Sequence, residues 1–294
     1  MKYLRYFAVF MVMMQCISIL SAQKEQVNYD FDSSKVYLID LKDGSRLFAK
    51  VLEVDGDKVR VKVASNAPFV ISYSQIASAK EVLPERIKDG KYWFENPHAT
   101  RYLFAPSARN LKKGEWYYQN AYLVLNSFNY GVTDYFSIGG GLEIISTLAF
   151  GRPLFFITPK VGFEVSEKLN LGGGIIYYST DDNRRRHFGI GYGIATYGTS
   201  DRNLTAGVGW GYFYGEFLNK PIVVLSGMSR VRRRWSLISE NWIAYIEGEY
   251  QGIFSYGVRF FGEKMAVDLA FLVNKDIFEA LFPGVPYVDF VVKF

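Results

Sequence analysis

The second half of the chain alternates large apolar side chains with small or polar ones, and this alternation constrains the fold more than any other feature. In 186–197, for example, Phe188, Ile190 and Tyr192 share one parity, and glycines stand between them. Because successive side chains of a strand point to opposite faces, each such segment predicts a strand with one apolar face. The clearest segments are 134–150, 153–165, 186–197, 203–214, 250–260 and 265–273, and less regular ones cover 115–131, 168–179, 219–229 and 235–247.

The length and the second face of these segments favour lipid over water as their surroundings. Most of them run to about 11–17 residues, whereas strands of soluble proteins average about 5–6. The face opposite the apolar residues carries Gly, Ser, Thr and Asn, and 24 of the 27 glycines lie from Gly114 onward. Only a closed barrel satisfies the backbone of strands in lipid. The sequence therefore predicts an all-β fold with a transmembrane antiparallel β-barrel over 95–294, and a lipocalin-like secreted barrel is the alternative.

The number of strands is predicted from a count of the alternating segments and from the even strand numbers of bacterial barrels. About eleven strands are predicted from Glu115 onward, and single-chain bacterial barrels have even numbers. The segment 101–105 is predicted to supply one more, because Thr100, Tyr102 and Phe104 share a face, which makes about twelve. Ten strands is the alternative if two weak segments do not span. The predicted outer loops are 106–114, 180–186, 215–220 and 274–284, and the predicted periplasmic turns are 131–134, 166–168, 198–202, 229–234 and 261–264.

The last predicted strand carries an expected assembly signal. Phe290, Val292 and Phe294 share one face of an alternating apolar segment. A last strand of this kind that ends on Phe resembles the sorting signal of outer-membrane barrels, which implies the barrel assembly machinery and outer-membrane lipid as partners. The segments 96–120 and 130–139, which read NPHATRYLFAPSARNLKKGEWYYQN and YGVTDYFSIG, resemble outer-membrane β-barrel proteins of Bacteroidetes-type bacteria. This resemblance implies a fold and a Gram-negative outer-membrane location, and no particular activity.

Residues 1–22 are predicted to be a secretory signal peptide. Lys2 and Arg5 precede an apolar run over 6–20, and Ser21 and Ala22 form a small-residue cleavage site. A short membrane anchor is the alternative, although the run is short for a spanning helix. Cleavage would remove two positive charges from a net charge of +5, and the remaining mild excess does not indicate a nucleic-acid partner.

A small periplasmic β domain is predicted over 34–84. Short alternating segments are separated there by Asp-Gly pairs at Asp43-Gly44 and Asp55-Gly56. Asp-Gly is a strong signal for a hairpin, because glycine tolerates the positive φ that tight turns require. The pattern is typical of an SH3-like or Sm-like barrel. We expect this domain to be an interaction or spacer module with a periplasmic partner.

Charged residues on the polar parity of the barrel form the candidate site. They are predicted to project into the lumen, where mixed signs favour pairing, because an unpaired buried charge is costly. The network could be a salt-bridged plug or could line a narrow pore. Its members are Glu143, Lys160, Glu164, Arg185, His187, Glu240, Arg259, Asp268, Asp289 and Lys293. A basic run is predicted instead to be a charged periplasmic turn, and contact with anionic lipid headgroups at the inner leaflet is the alternative. It consists of Arg230, Arg232, Arg233 and Arg234.

Catalytic and metal chemistry find little support in the sequence. The two histidines are His98 and His187, and Gly-x-Ser-x-Gly is absent from the sequence. A lipid hydrolase built on His187, Ser179 and Asp181 remains a minor alternative. The one cysteine is Cys16, inside the predicted signal, so no metal site and no cofactor are expected. The sequence predicts a non-enzymatic barrel with a structural or binding role in the envelope, and a narrow passive pore for small solutes is the alternative.

Overall fold

A computed structural model describes residues 29–63, 66–83, 86–88, 91–151, 153–180, 187–213, 215–246 and 248–294. The predicted signal 1–22, Asp181 and Arg185 lie outside these ranges. The chain divides into two compact units, Met1–Trp93 and Phe94–Phe294.

The first unit contains an antiparallel sheet of five strands in the order β4-β3-β2-β1-β5. Gly44 and Gly56 adopt φ values of +87° and +57° at its two Asp-Gly pairs, a conformation that glycine reaches without steric cost. Apolar side chains from all five strands form the core, including Ile39, Val59 and Val61. The strands are β1 (Val36–Leu41), β2 (Arg46–Asp55), β3 (Lys58–Lys62), β4 (Phe69–Ser72) and β5 (Ile76–Val82), and a 3₁₀ turn (Tyr73–Gln75) and the short pair β6 (Ile87–Lys88) and β7 (Lys91–Tyr92) complete the unit.

The second unit is built almost entirely of antiparallel strands. Its strands are β8 (Trp116–Ala121), β9 (Leu125–Gly131), β10 (Phe136–Glu143), β11 (Leu154–Ile157), β12 (Lys160–Ser166), β13 (Leu169–Thr180), β14 (His187–Gly198), β15 (Arg202–Phe213), β16 (Glu216–Phe217), β17 (Ile222–Arg232), β18 (Trp235–Ile246), β19 (Glu249–Phe261), β20 (Met265–Val273) and β21 (Val285–Lys293). Two short helices, α1 (Ile144–Phe150) and α2 (Lys275–Ala280), lie in its connections.

These strands close into a barrel. β21 pairs with β8, and β8 and β10 both pair with β9, so the sheet has no free edge there. β11 and β12 each pair with β10 and β13 and act as one interrupted strand, and β16 is a two-residue extension beside β15. Over the described residues the barrel therefore has twelve strands, which confirms the predicted fold class and count.

The twelfth strand is not the predicted one. The prediction that 101–105 spans as a strand is wrong, because this segment lies inside the barrel and forms a single bridge, Arg101↔Pro106. The predicted outer loop 106–114 also starts inside, where Ala108 and Leu111 are buried. The missing strand comes from 115–131, which is a hairpin instead of one strand, since Tyr122 and Leu123 turn the chain with φ of 53° and 64°.

Exposure follows the predicted parity. On β15 Leu204 is 61% exposed and the next residue, Thr205, is fully buried. On β19 Phe260 is 46% exposed and Arg259 is fully buried. Apolar side chains outside and polar ones inside are the arrangement of a barrel in lipid. Among the described residues, we find no helix with the length and hydropathy needed to cross a bilayer.

Candidate functional site in the barrel lumen

The lumen contains a stretch of the chain itself, residues 94–115, which we call the plug segment. It enters at the barrel end that holds Phe94 and Phe294, which we call the terminal end, and turns back near the Arg101↔Pro106 bridge. Tyr102, Leu103 and Ala105 at the turn are at most 2% exposed. Because the segment is irregular, most of its peptide groups need partners outside its own backbone. Charged side chains of the barrel supply many of them.

Arg259 on β19 binds the first arm of the plug segment. Its guanidinium donates to both carboxylate oxygens of Asp268 on β20, each at 2.6 Å. It also donates to the carbonyl oxygens of His98 at 2.6 Å and Tyr102 at 2.9 Å. All the charge-bearing atoms of this pair are buried. The bidentate ion pair with Asp268 therefore holds the Arg259 guanidinium against peptide carbonyls of the plug segment.

Glu240 on β18 binds the turn of the plug segment. One carboxylate oxygen accepts the backbone N–H groups of Phe104 at 2.9 Å and Ala105 at 2.8 Å. The other accepts the indole N–H of Trp242 at 2.7 Å. The side chain is 3% exposed, so three N–H donors replace the water that a carboxylate normally requires.

Lys160 on β12 binds both arms at once. Its ammonium donates to the carbonyl oxygens of Thr100 at 3.1 Å, Ser107 at 3.1 Å and Arg109 at 2.6 Å. An ammonium has three donors, and all three are used. The lysine thus fixes the distance between the part of the plug segment before its turn, at Thr100, and the part after it, at Ser107 and Arg109.

Hydroxyl groups of β14 and β15 also bind the plug segment. The Tyr102 hydroxyl donates to Asn203 at 2.6 Å and lies 2.7 Å from the hydroxyl of Thr205. The hydroxyl of Thr196 accepts the backbone N–H of Ala108 at 2.8 Å. Because both threonines are fully buried, they serve the plug segment and not solvent.

The prediction that Arg230 belongs to a charged periplasmic turn is wrong, because it lies within β17. It is 2% exposed and donates to the carbonyl oxygens of Phe94 at 2.7 Å and Arg233 at 2.5 Å, and to Asp201 at 2.9 Å. The guanidinium also lies 4.6 Å from the ring centre of Phe261. Arg230 lies two residues after Met228 on β17, so both side chains point to the same, inward face. This alternation could have predicted that Arg230 is buried.

A further polar cluster lies where β8 meets β21. Asp289, which is 1% exposed, accepts from the amide of Gln119 at 2.5 Å and from the hydroxyl of Tyr287 at 3.0 Å. The Tyr287 hydroxyl also lies 3.1 Å from the carbonyl oxygen of Leu103. Gln119 in turn accepts from the guanidinium of Arg101. One amide therefore connects a buried acid of the wall to a cation of the plug segment.

Two of the predicted lumen residues lie at the barrel ends. Glu143 accepts the backbone N–H groups of Ile145 at 2.6 Å and Ser146 at 2.7 Å in the first turn of α1. Lys293 pairs with Glu115 at 2.8 Å. Burial raises the pKa of Glu115, but hydrogen bonds from Lys293 and from a backbone N–H outweigh it, so the pKa is lowered overall.

The other two described members of the predicted network also stand apart. Glu164 is exposed, and His187 stacks on Tyr177 with ring centres 5.7 Å apart. Lys160, Glu240, Arg259, Asp268 and Asp289 are thus the predicted residues that the fold brings together around the plug segment. Within the described residues, no group of three or more His, Cys, Asp or Glu side chains could hold a metal ion.

Spaces of different size remain beside the plug segment. A gap of about 30 Å³ next to Lys160 and Tyr117 admits only a few water molecules. A larger cavity of about 250 Å³ lies beyond the turn of the plug segment, beside the β8–β9 hairpin, and we call it the loop-end cavity. Arg101 and Phe104 of the plug segment line it, together with wall residues that include Leu125, Phe156 and Trp242.

The chain matches no family model and no curated protein. It is similar to the solved structure of OmpTdeltaL8, a loop L8 deletion mutant of OmpT, an outer membrane protein of Vibrio cholerae, with 12% identity and a TM-score of 0.31 over 88% of this chain and 96% of that chain. It is also similar to the CymD monoaromatic hydrocarbon channel, with 9% identity and a TM-score of 0.30 over 88% of this chain and 85% of that one.

The fold assignment rests on the chain's own strand pairing. Twelve antiparallel strands close into a barrel over the described residues, with large apolar side chains on the outer face and the buried charged side chains in the interior. A closed barrel is the only β architecture that satisfies its backbone in lipid. The second unit is therefore an outer-membrane type β-barrel, a fold that points to a Gram-negative outer membrane.

Proposed function

We propose that this protein is a non-conducting outer-membrane barrel with a structural or binding role in the cell envelope. Its lumen is closed by the plug segment, and its first unit lies in the periplasm, where a partner binds the predicted domain 34–84. An even number of strands keeps both ends of the barrel chain on one side, which supports the periplasmic location. The last strand, with Phe290 and Val292 on its outer face and Phe294 stacked on Trp116 at 3.9 Å, would be the segment read by the assembly machinery.

The main support for this proposal is that the buried charged side chains of the barrel form hydrogen bonds with the plug segment. Lys160, Glu240 and Arg259 form hydrogen bonds with peptide groups of the plug segment. The other hydrogen bonds of Glu240 and Arg259 go to the barrel side chains Trp242 and Asp268. Charges that line an aqueous pore would instead face water.

Catalysis is not part of the proposal. Ser179 faces His187 across the β13–β14 ladder, as a hydrolase would require for a serine and its base. The imidazole of His187, however, lies flat on Tyr177. A stacked ring of this kind is well explained as a packing contact between neighbouring strands.

Planar-bilayer recording of the purified full chain tests the proposal. We expect no stable current from the wild-type protein. We expect intermittent openings from the double variant Glu240→Ala/Arg259→Ala, in which the plug segment loses both anchors. Asp276→Ala on the exposed helix α2 is the control and should behave as wild type.

Folding of each variant is checked by the difference in gel mobility between heated and unheated samples. A steady, ion-selective current from the wild-type chain would overturn the closed-lumen proposal and favour the narrow passive pore.

A further inference from the structure

Arg101 places a cation at the floor of the loop-end cavity and uses little of its hydrogen-bonding capacity. Its guanidinium donates to the side-chain oxygen of Gln119 and, at 3.3 Å, to the carbonyl oxygen of Phe104. A guanidinium has five N–H groups. Within the described part of the chain, Arg101 makes no ion pair, in contrast to Arg259, which is paired with Asp268.

The walls of the loop-end cavity are mainly apolar. Phe156, Tyr178 and Trp242 contribute aromatic surface, and Leu125 and Ile176 contribute aliphatic surface. The polar residues that line it, such as Gln119, are uncharged, and no carboxylate lines it among the described residues. Arg101 is therefore the only ionised side chain there in this part of the chain. Asp289 reaches Arg101 only through the amide of Gln119, so the guanidinium has no direct carboxylate partner. A cation of this kind beside apolar walls favours the entry of an anion, because direct pairing offsets the cost of its desolvation.

We propose that the loop-end cavity binds a small carboxylate with an apolar, ring-sized body. The carboxylate pairs with the unused N–H groups of Arg101, whose planar fork matches it bidentately. The body of the ligand lies between the aromatic and aliphatic walls. The volume of about 250 Å³ limits the ligand to about one ring with its charged group, because larger drug-sized ligands occupy pockets of about 300–1,000 Å³.

This inference rests on the binding role proposed above and names the class of ligand. It can fail independently of the closed lumen. A current through the wild-type barrel would overturn the closed-lumen proposal, whereas ligand binding tests the cavity separately. The two probes are benzoate and its neutral analogue benzamide, titrated into the detergent-solubilised full chain by calorimetry at neutral pH.

The variants separate charge from shape. Arg101→Gln removes the cation, and we expect it to weaken benzoate binding by about tenfold or more, as loss of one charge-assisted pair does. Leu125→Trp leaves Arg101 in place and fills the cavity, and we expect it to weaken both probes. Arg202→Gln removes an exposed cation at the start of β15 and serves as the control with the same change of charge. Each variant must keep the heat-dependent gel mobility of a folded barrel.

The expected pattern is measurable benzoate binding to wild type and to Arg202→Gln, weaker binding to the two cavity variants, and weaker binding of benzamide than of benzoate. Three results would each overturn the proposal. They are no heat of benzoate binding to the folded wild type at millimolar concentration, equal affinity of benzoate for wild type and Arg101→Gln, and equal affinity of the two probes for wild type.

Discussion

At Arg259 the chain buries a cation completely and gives it one acid and, at 2.6 and 2.9 Å, two peptide carbonyls as partners. The acid, Asp268, is the directly opposed residue on β20, so the pair is fixed by strand register. The carbonyls belong to His98 and Tyr102, which precede Arg259 by 161 and 157 residues. The contact with Asp268 follows from the pairing of β19 with β20, whereas the contacts with His98 and Tyr102 form only when the plug segment lies in the lumen.

Removing one member of this pair should destabilise the barrel strongly. We expect Arg259→Met to lower the free energy of unfolding by about 3–5 kcal/mol, because Asp268 is left buried without its partner. The double variant Arg259→Met/Asp268→Asn should lose less than the sum of the two single variants. Urea unfolding of the refolded barrel in lipid vesicles measures all three. Additive losses would show that the two side chains are not energetically coupled.

In the first unit, Asp57 gives a residue-scale prediction for pH. Hydrogen bonds from the hydroxyl of Ser72 and the backbone N–H of Ser74, the latter at 2.8 Å, lower the pKa of Asp57 below its ordinary 3.8. A lowered pKa means that the stabilisation is present above the pKa of the unfolded chain and disappears as pH falls through the folded value.

We therefore expect Asp57→Ala to lower the melting temperature of the first unit at neutral pH, and the deficit to shrink below about pH 4. Calorimetry of the full chain over this pH range measures it. Asp55→Ala, whose carboxylate lies on the same β2–β3 turn, is the matched control. A deficit that stays constant with pH would rule out the ionised carboxylate as its source.

At the scale of elements, the plug segment leaves the lumen by passing close to β9. A Cβ atom placed on Gly131 would lie 2.1 Å from the carbonyl oxygen of Lys112, which is backbone and has no flexible end to move away. Gly131 also exchanges backbone hydrogen bonds with Gly114 and Glu115, both at 2.9 Å. Glycine is thus required here because two backbones approach each other.

Gly131→Ala should therefore displace the exit of the plug segment. We expect a loss of about 1–3 kcal/mol in the free energy of unfolding, the usual cost of forcing a methyl group into a packed site. Gly262→Ala is the control, because a Cβ atom there would have no neighbour within 4 Å and the residue has no positive φ. The urea unfolding midpoints of the two variants measure this loss. Equal midpoints would show that the backbone around Lys112 moves away from the added methyl group at little cost.

The elements differ in how far the sequence could predict them. Strands such as β14, β15 and β20 follow from alternation alone, because lipid selects apolar residues at every second position. The same parity placed Lys160, Glu240, Arg259, Asp268 and Asp289 in the lumen. The plug segment has no period, and Glu240 contacts it across 135 and 136 residues, so no local pattern could reveal it. The count of twelve was reached with the wrong segment, since 101–105 alternates as a strand would.

For the whole molecule, the even strand number has a consequence for sidedness. The chain enters and leaves the barrel at the terminal end, and the β8–β9 hairpin and α2 belong to connections at the opposite end. If the terminal end faces the periplasm, α2 faces the outside of the cell, and the first unit is proposed above to be periplasmic. The loop-end cavity then lies in the outer half of the barrel.

Single-cysteine labelling tests this arrangement, and the chain suits it because its one cysteine, Cys16, lies in the predicted signal. Asp276→Cys on α2 and Asp43→Cys in the β1–β2 turn are both exposed in the structure. We expect a membrane-impermeant maleimide to label Asp276→Cys on intact cells and Asp43→Cys only after the outer membrane is permeabilised. The parent chain reports any background from Cys16. Labelling of Asp43→Cys on intact cells, with Asp276→Cys protected, would show that the barrel sits in the opposite orientation.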